Sequence, residues 1–289
     1  MDQHPLDDAW TKLAWAQHHV NRLEADIAFS GFQAQPVTLR QEYDTDARKI
    51  TVKINEVPEV RLEWSLIALD AFSNLRSALN YLTWELAKWN LEQRKAGRDP
   101  DGQTQFPIAT SQARFNSRSV ADLDPDHVTS IQALQPYGAA FMAQFDKMIA
   151  KGGRAEGFAA SHPLEILRVL SNTDKHRVLQ AGAVGASVSE VGHYKAVDCD
   201  ITNTMYQMHI TLRPDAVWVT FDIANPGPDP HVEVNDRVTT EVAFDGGLRI
   251  RPTFDAISER VSNAIRCFEL VFEPGVSAGK YAAPFRRVR

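Results

Sequence analysis

Apolar residues recur at three- and four-residue steps over residues 6–29, at Leu6, Trp10, Leu13, Val20, Leu23 and Ile27. That spacing predicts an amphipathic helix, and Gly31 beyond the last apolar position predicts its stop. Residues 37–43 and 48–57 then change to period two, with Val37 and Leu39 followed by Ile50, Val52 and Ile54. Asp44-Thr45-Asp46-Ala47 between them reads as the turn of a β-hairpin. Residues 61–95 carry the strongest pattern of the chain. Ala68, Ala71, Phe72, Leu75, Ala78, Leu79, Leu82, Leu86 and Trp89 fall on one face of a helical wheel. Asp70, Asn74, Ser77, Tyr81, Glu85 and Lys88 fall on the other, and no Pro or Gly intervenes. A long helix follows, ended by Gly97–Gln105 with its Asp-Pro and Asp-Gly pairs.

The next stretch is less regular. Phe106-Pro107-Ile108 reads as a short extended piece, Asp126–Leu134 as a short helix stopped by Gln135-Pro136-Tyr137, and Gly138–Ala150 as a further apolar helix. A helix is expected over 163–177, with Ser161 as its cap, Pro163 and Glu165 in its first turn, and Leu164, Leu167 and Leu170 as its stripe. From 178 to 250 the period becomes alternating. Strands are expected at 178–189, 194–201, 206–212, 217–223 and 232–244, spaced as an antiparallel meander. Residues 253–272 return to helix, with Phe254, Ile257, Val261, Ile265, Phe268 and Phe272 on one side.

Helices in one run and strands in another predict an α+β fold. The expected architecture is a helical bundle around the 61–95 helix, flanked by an antiparallel sheet. One domain is expected over 1–273. It comprises a helical region over 1–177 with the hairpin 37–57, a β-meander over 178–250 and a closing helix over 253–272. Residues 274–289 form a basic tail, with Lys280, Arg286, Arg287 and Arg289 and no acid. That tail is either a solvated end or an arm that contacts phosphate.

Composition narrows the function. The chain has 289 residues, 44% hydrophobic and 24% charged, in the globular range. Its net charge of −6 excludes a general coat for nucleic acid, which needs basic surface. Cys199 and Cys267 stand far apart without a CxxC partner, which excludes a cysteine zinc site and fits thiols in a reducing cytosol. No secretory leader and no 20-residue apolar run is present, so a cytoplasmic protein with no membrane partner is expected. The chain lacks GxxxxGK[ST], GxSxG and HExxH, and Ala181–Gly185 reads as the start of a strand. His18 and His19 are neighbours on a helix and point about 100° apart, so they do not share a metal. Neither a metal nor a cofactor is expected.

Two segments carry candidate chemistry. Asn74–Tyr81 places Arg76 at the border of the apolar face, with Asn80 one turn on. A border arginine either snorkels or pairs with a carboxylate, or it offers a fixed guanidinium to a phosphate. Ser171–Arg177 places Asn172 and His176 on one helical face and sets Asp174, Lys175, His176 and Arg177 in a row. The cations complement a helix C-terminus. Alternatively, His176 is a general acid or base near its working pKa, beside cations that hold a phosphate.

These segments, with Leu134-Gln135-Pro136-Tyr137 between them, are similar to a bacterial family sharing NLRSALxx, LQPY and NxDKHR elements, over about residues 60–180. The helix motif in turn resembles the HEPN superfamily of helical RNases and toxins. That resemblance implies an arginine holding the scissile phosphate, a histidine acting on the 2′-hydroxyl without metal, and a composite site between two protomers. Arg76 matches the arginine, but Tyr81 stands at the histidine position. No arginine of the chain is followed by histidine at the family spacing, so His176 would have to supply the base from another helix.

Two readings follow. The first is a non-enzymatic binding or scaffold protein, in which Arg76, Asp174 and Arg177 form a buried ion-pair network between helices, with Asn172, Tyr81 and His176 in the same polar network. Its partner would be a protein or RNA, taken by the sheet or the region around Trp218. The second is a metal-independent RNase, in a toxin or phage-defence setting. There His176 and Arg76 are catalytic, and Arg177, Lys175 and Asn80 bind phosphate. A homodimer through the 61–95 helix would suit the resemblance.

Overall fold

A computed structural model describes residues 4–32, 37–138, 162–173, 181–186, 194–206, 213–234, 239–244 and 248–273. The fold is α+β. The helices are α1 (Asp7–Phe29), α2 (Leu62–Gln93), α3 (Pro125–Ala133), α4 (Pro163–Thr173) and α5 (Ile250–Arg266). The strands are β1 (Thr38–Asp44), β2 (Lys49–Glu56), β3 (Ala181–Ala186), β4 (Tyr194–Val197), β5 (Asp200–Tyr206), β6 (Val217–Ala224), β7 (His231–Val234), β8 (Thr239–Phe244) and β9 (Leu248–Arg249). The chain clusters into two compact units. A helical unit takes residues 1–20, 68–178 and 252–289, and a β-rich unit takes 21–67 and 179–251. Three of these boundaries fall inside α1, α2 and α5 rather than in linkers.

The helical unit is organised by α2. Phe72, Leu75, Leu79, Leu82 and Leu86 are fully buried, as the helical wheel predicts, while Asp70, Tyr81 and Lys88 are exposed. Helix α5 buries Phe254, Ile257, Val261 and Ile265, and Phe254 meets Phe72 edge to face at 6.2 Å. His127 of α3 lies between Trp89 and Phe268, with ring centroids 5.5 and 5.7 Å away. The segment after α2 is tied back by Asp122. Its carboxylate accepts from both terminal nitrogens of Arg98 and from the Asp101 N–H, and its carbonyl accepts from Asn90.

In the β-rich unit, α1 ends where Gly31 takes a φ of +68°, which glycine adopts without steric penalty. Strand β2 buries Ile50, Val52 and Ile54 and turns Lys49, Thr51 and Lys53 outward. Ile50 pairs with Phe221 and Val52 with Val219, so apolar residues of adjacent strands share a face. Phe32 packs edge to face on Trp64 at 5.3 Å.

The sheets differ from the expected meander. Among the described residues they run β1-β2-β6-β5, β3-β8-β9 and β4-β7, and every pairing is antiparallel. The pairs β1-β2, β5-β6 and β8-β9 are adjacent along the chain, whereas β2-β6, β3-β8 and β4-β7 are not. Alternation fixes which face a residue takes, but not which strand pairs with which. The expected strand 194–201 breaks at Asp198, whose φ is +54°, and a new strand starts at Asp200. The expected strand 206–212 lies largely outside the described residues. Trp218 is 4% exposed, so it is a core residue and not a partner surface. Cys199 and Cys267 are free thiols, each half-buried. The expected helix 138–150 and the tail 274–289 lie outside the described residues. No described helix is long and apolar enough to cross a membrane.

Candidate functional site

Arg76 and Asn80 lie one turn apart on α2, about 40° apart around the helix axis. The segment after the 97–105 loop runs past both. Arg76 Nη2 donates to the Phe106 carbonyl at 2.7 Å, and the Phe106 N–H donates to Asn80 Oδ1 at 3.2 Å. Phe106 itself is fully buried, which anchors this clamp in the core. Beside it opens a cavity of about 470 Å³.

The lining is mostly polar. Three arginines reach it, Arg76, Arg114 and Arg168, together with Ser73, Ser77, Ser119 and Ser171. The amides of Asn80, Gln105, Asn116 and Asn172 complete it beside the Phe106–Ile108 segment. No carboxylate is among these lining residues. Arg168 is held by Glu165 through two hydrogen bonds of 2.7 and 2.6 Å, a fork that matches guanidinium to carboxylate. Arg76 has no such partner. Its Nη1 is buried and finds no hydrogen bond among the described residues. Burial, and then repulsion by the Arg168 guanidinium, pull its pKa down to about 10. It still carries its charge at neutral pH, with no ion pair among the described residues.

The end of α4 brings Ser171 and Asn172 to this cavity. Its start is fixed by His162, whose Nδ1 accepts the Leu164 N–H at 3.1 Å in the manner of an N-cap. Ser161, the expected cap, lies outside the described residues. Leu164, Leu167 and Leu170 are buried as the stripe predicts. His162 is fully buried, and its Nε2 lies 3.2 Å from Arg260 Nη2. Burial, followed by the Arg260 charge, pushes its pKa down to about 3, so the ring is neutral.

The two sequence motifs therefore meet in part. Arg76, Asn80 and Asn172 line one cavity. Tyr81 does not join them. Five residues after Arg76 it points about 140° away around the helix, and it is 39% exposed and outside the lining. Asp174, Lys175, His176 and Arg177 lie outside the described residues. Arg114, Asn116, Ser119 and Arg168 were not legible as site residues, because isolated polar positions far apart in sequence leave no periodic trace. The Glu165–Arg168 spacing of three on a helix was the one available signal. Among the described residues no group of three or more His, Cys, Asp or Glu side chains is placed to hold a metal.

Comparison with protein-family models, with curated proteins and with solved structures finds no match.

Proposed function

We propose that the helical unit is a binding module for a phosphate-bearing ligand, received in the cavity beside Arg76. The observation that carries this reading is Arg76, which lines a cavity with two further arginines and no acid among the described lining residues, and whose buried Nη1 has no hydrogen bond among the described residues. A guanidinium nitrogen removed from water and left unpaired is unfavourable. An anion supplies the missing acceptor and offsets the repulsion between Arg76 and Arg168. The planar fork of Arg76 has one nitrogen fixed on Phe106 and the other buried without a hydrogen bond among the described residues, so a phosphoryl oxygen that reached it would supply its acceptor.

The test is calorimetric titration with inorganic phosphate, alongside Arg76→Gln and Arg114→Gln. Saturable binding that Arg76→Gln weakens at least ten-fold supports the reading. Arg114 is exposed, so its variant keeps the test decisive should the Arg76 variant fold poorly. No binding by the wild-type chain overturns it.

A second reading, metal-independent RNA cleavage in the manner of the HEPN resemblance, draws on the meeting of Arg76, Asn80 and Asn172. Asn172 stands four residues before His176 in sequence. RNA incubated with the protein in EDTA, beside Arg76→Ala and His176→Ala, tests it. Cleavage lost in both variants supports it, and an inert wild-type protein removes it, along with the toxin and phage-defence settings. A homodimer through α2 belongs to this reading and is checked by sedimentation.

A further inference from the structure

The hydrogen-bonding state of the lining says more than its charge. Ser77 Oγ donates its proton to the Ser73 carbonyl at 2.9 Å, and Ser119 Oγ donates to the Asn116 carbonyl at 2.8 Å. A hydroxyl that has donated its only proton keeps acceptor lone pairs. The amides are set the opposite way. Asn80 Oδ1 accepts from Phe106 N–H, and Asn116 Oδ1 accepts from Arg118 N–H at 3.1 Å. Each leaves its NH₂ group without a hydrogen bond among the described residues. Serine acceptors and amide donors therefore line the same cavity as the arginines.

The phosphoryl dianion of a monoester is acceptor-only, and inorganic phosphate as its dianion keeps a single O–H, so neither can use both serine acceptors. A hydroxyl both donates and accepts, so a polyol uses both kinds of lining group. A nucleobase would look for an aromatic face to stack on. The one aromatic residue of the lining, Phe106, is fully buried in the core. The volume of about 470 Å³ lies within the range of small-ligand pockets, roughly 300–1,000 Å³. The acidic balance of the chain argues against a long nucleic-acid strand as occupant.

We infer that the occupant is a small phosphorylated sugar or polyol, its phosphoryl group on Arg76 and its hydroxyls on Ser77, Ser119 and the amides of Asn80 and Asn116. This rests on the anion-binding reading above and adds the chemical class of what the anion is attached to.

The experiment is a calorimetric panel on the full chain: inorganic phosphate, glycerol 3-phosphate, ribose 5-phosphate, glucose 6-phosphate, adenosine monophosphate and a ten-residue oligouridylate. At least one sugar or polyol phosphate is expected to bind ten-fold or more tightly than inorganic phosphate. Ser77→Ala and Ser119→Ala together are expected to reduce that preference to below three-fold. Sugar phosphates no tighter than inorganic phosphate overturn the inference while leaving the anion site standing. Adenosine monophosphate or the oligonucleotide binding ten-fold tighter than every sugar phosphate also overturns it, in favour of a base or an RNA chain. Silence across the whole panel, inorganic phosphate included, fails the anion site itself.

Discussion

Arg76 and Asn80 hold the two ends of one residue: the guanidinium of the first donates to the Phe106 carbonyl, and the amide oxygen of the second accepts the Phe106 N–H. The clamp commits one face of each side chain to structure. It leaves Arg76 Nη1 buried without a hydrogen bond among the described residues, while both residues line the cavity. The same pair thus fixes the wall and furnishes some of the site.

A ligand that binds only the folded chain must raise its stability. Saturation at one hundred times the Kd adds about 2.7 kcal/mol. Phosphate-dependent stabilisation of this size is expected in thermal or urea unfolding of the wild-type chain. Arg76→Gln is expected to abolish the phosphate dependence, whatever its own effect on the unliganded chain.

Tyr81→Phe separates the site from the sequence motif. Tyr81 is exposed and points away from the cavity. The substitution is expected to leave phosphate affinity within two-fold and stability within about 0.5 kcal/mol, the range of ordinary surface changes. A ten-fold loss of affinity in titration would place Tyr81 in the site after all.

Two buried histidines make stability depend on acid. Burial holds the pKa of His127 below its usual value, and burial with Arg260 holds that of His162 down to about 3. In the unfolded chain both take a proton near pH 6.5, whereas the folded chain does not. The unfolded state then binds more protons, so stability is full above pH 6.5 and falls as pH drops below it. For His162 the slope approaches about 1.4 kcal/mol per pH unit, down toward its folded pKa. His162→Asn retains a capping side chain and removes the titration. Urea unfolding at pH 7.5, 6.0 and 5.0 is expected to show a shallower decline for this variant than for the wild type.

Asp122 and Arg98 are unequal partners. The carboxylate is nearly buried, while the arginine side chain is 54% exposed. Hydrogen bonding by Arg98 holds the Asp122 pKa below the usual carboxylate range, opposed to a degree by burial. Its stabilisation is present at neutral pH and is lost as pH falls through that lowered pKa. Asp122→Ala also strands the Asp101 N–H, and it is expected to destabilise by about 2 kcal/mol. Arg98→Ala removes a mostly solvated partner and is expected to stay under about 1 kcal/mol. Denaturant midpoints of the two variants check the order.

Much of the scaffold was legible because burial imposes a period. The α2 stripe, the Gly31 stop and the Ile50-Val52-Ile54 face all follow from local geometry that a single segment displays. Strand pairing was not legible: β2 reaches β6 across more than a hundred residues, and any alternating strand offers the same face. In the site, Arg76, Asn80 and Asn172 were legible as polar residues at the border of apolar helices. Tyr81 was misplaced because a motif counts residues, while a helix counts degrees. His162 was missed as a cap because serine is the commoner capping residue, although an imidazole nitrogen accepts the same N–H.

The division of the chain has a consequence for its synthesis. The helical unit draws on separated stretches, and α5 leaves the ribosome more than a hundred residues after α2. Phe72 therefore waits for Phe254 until α5 has been made. The cavity, by contrast, is lined, among the described residues, by positions from Ser73 to Asn172. That stretch is translated before α5. A nascent chain arrested ahead of α5 would thus carry every described residue of the binding wall while still lacking the partner of Phe72.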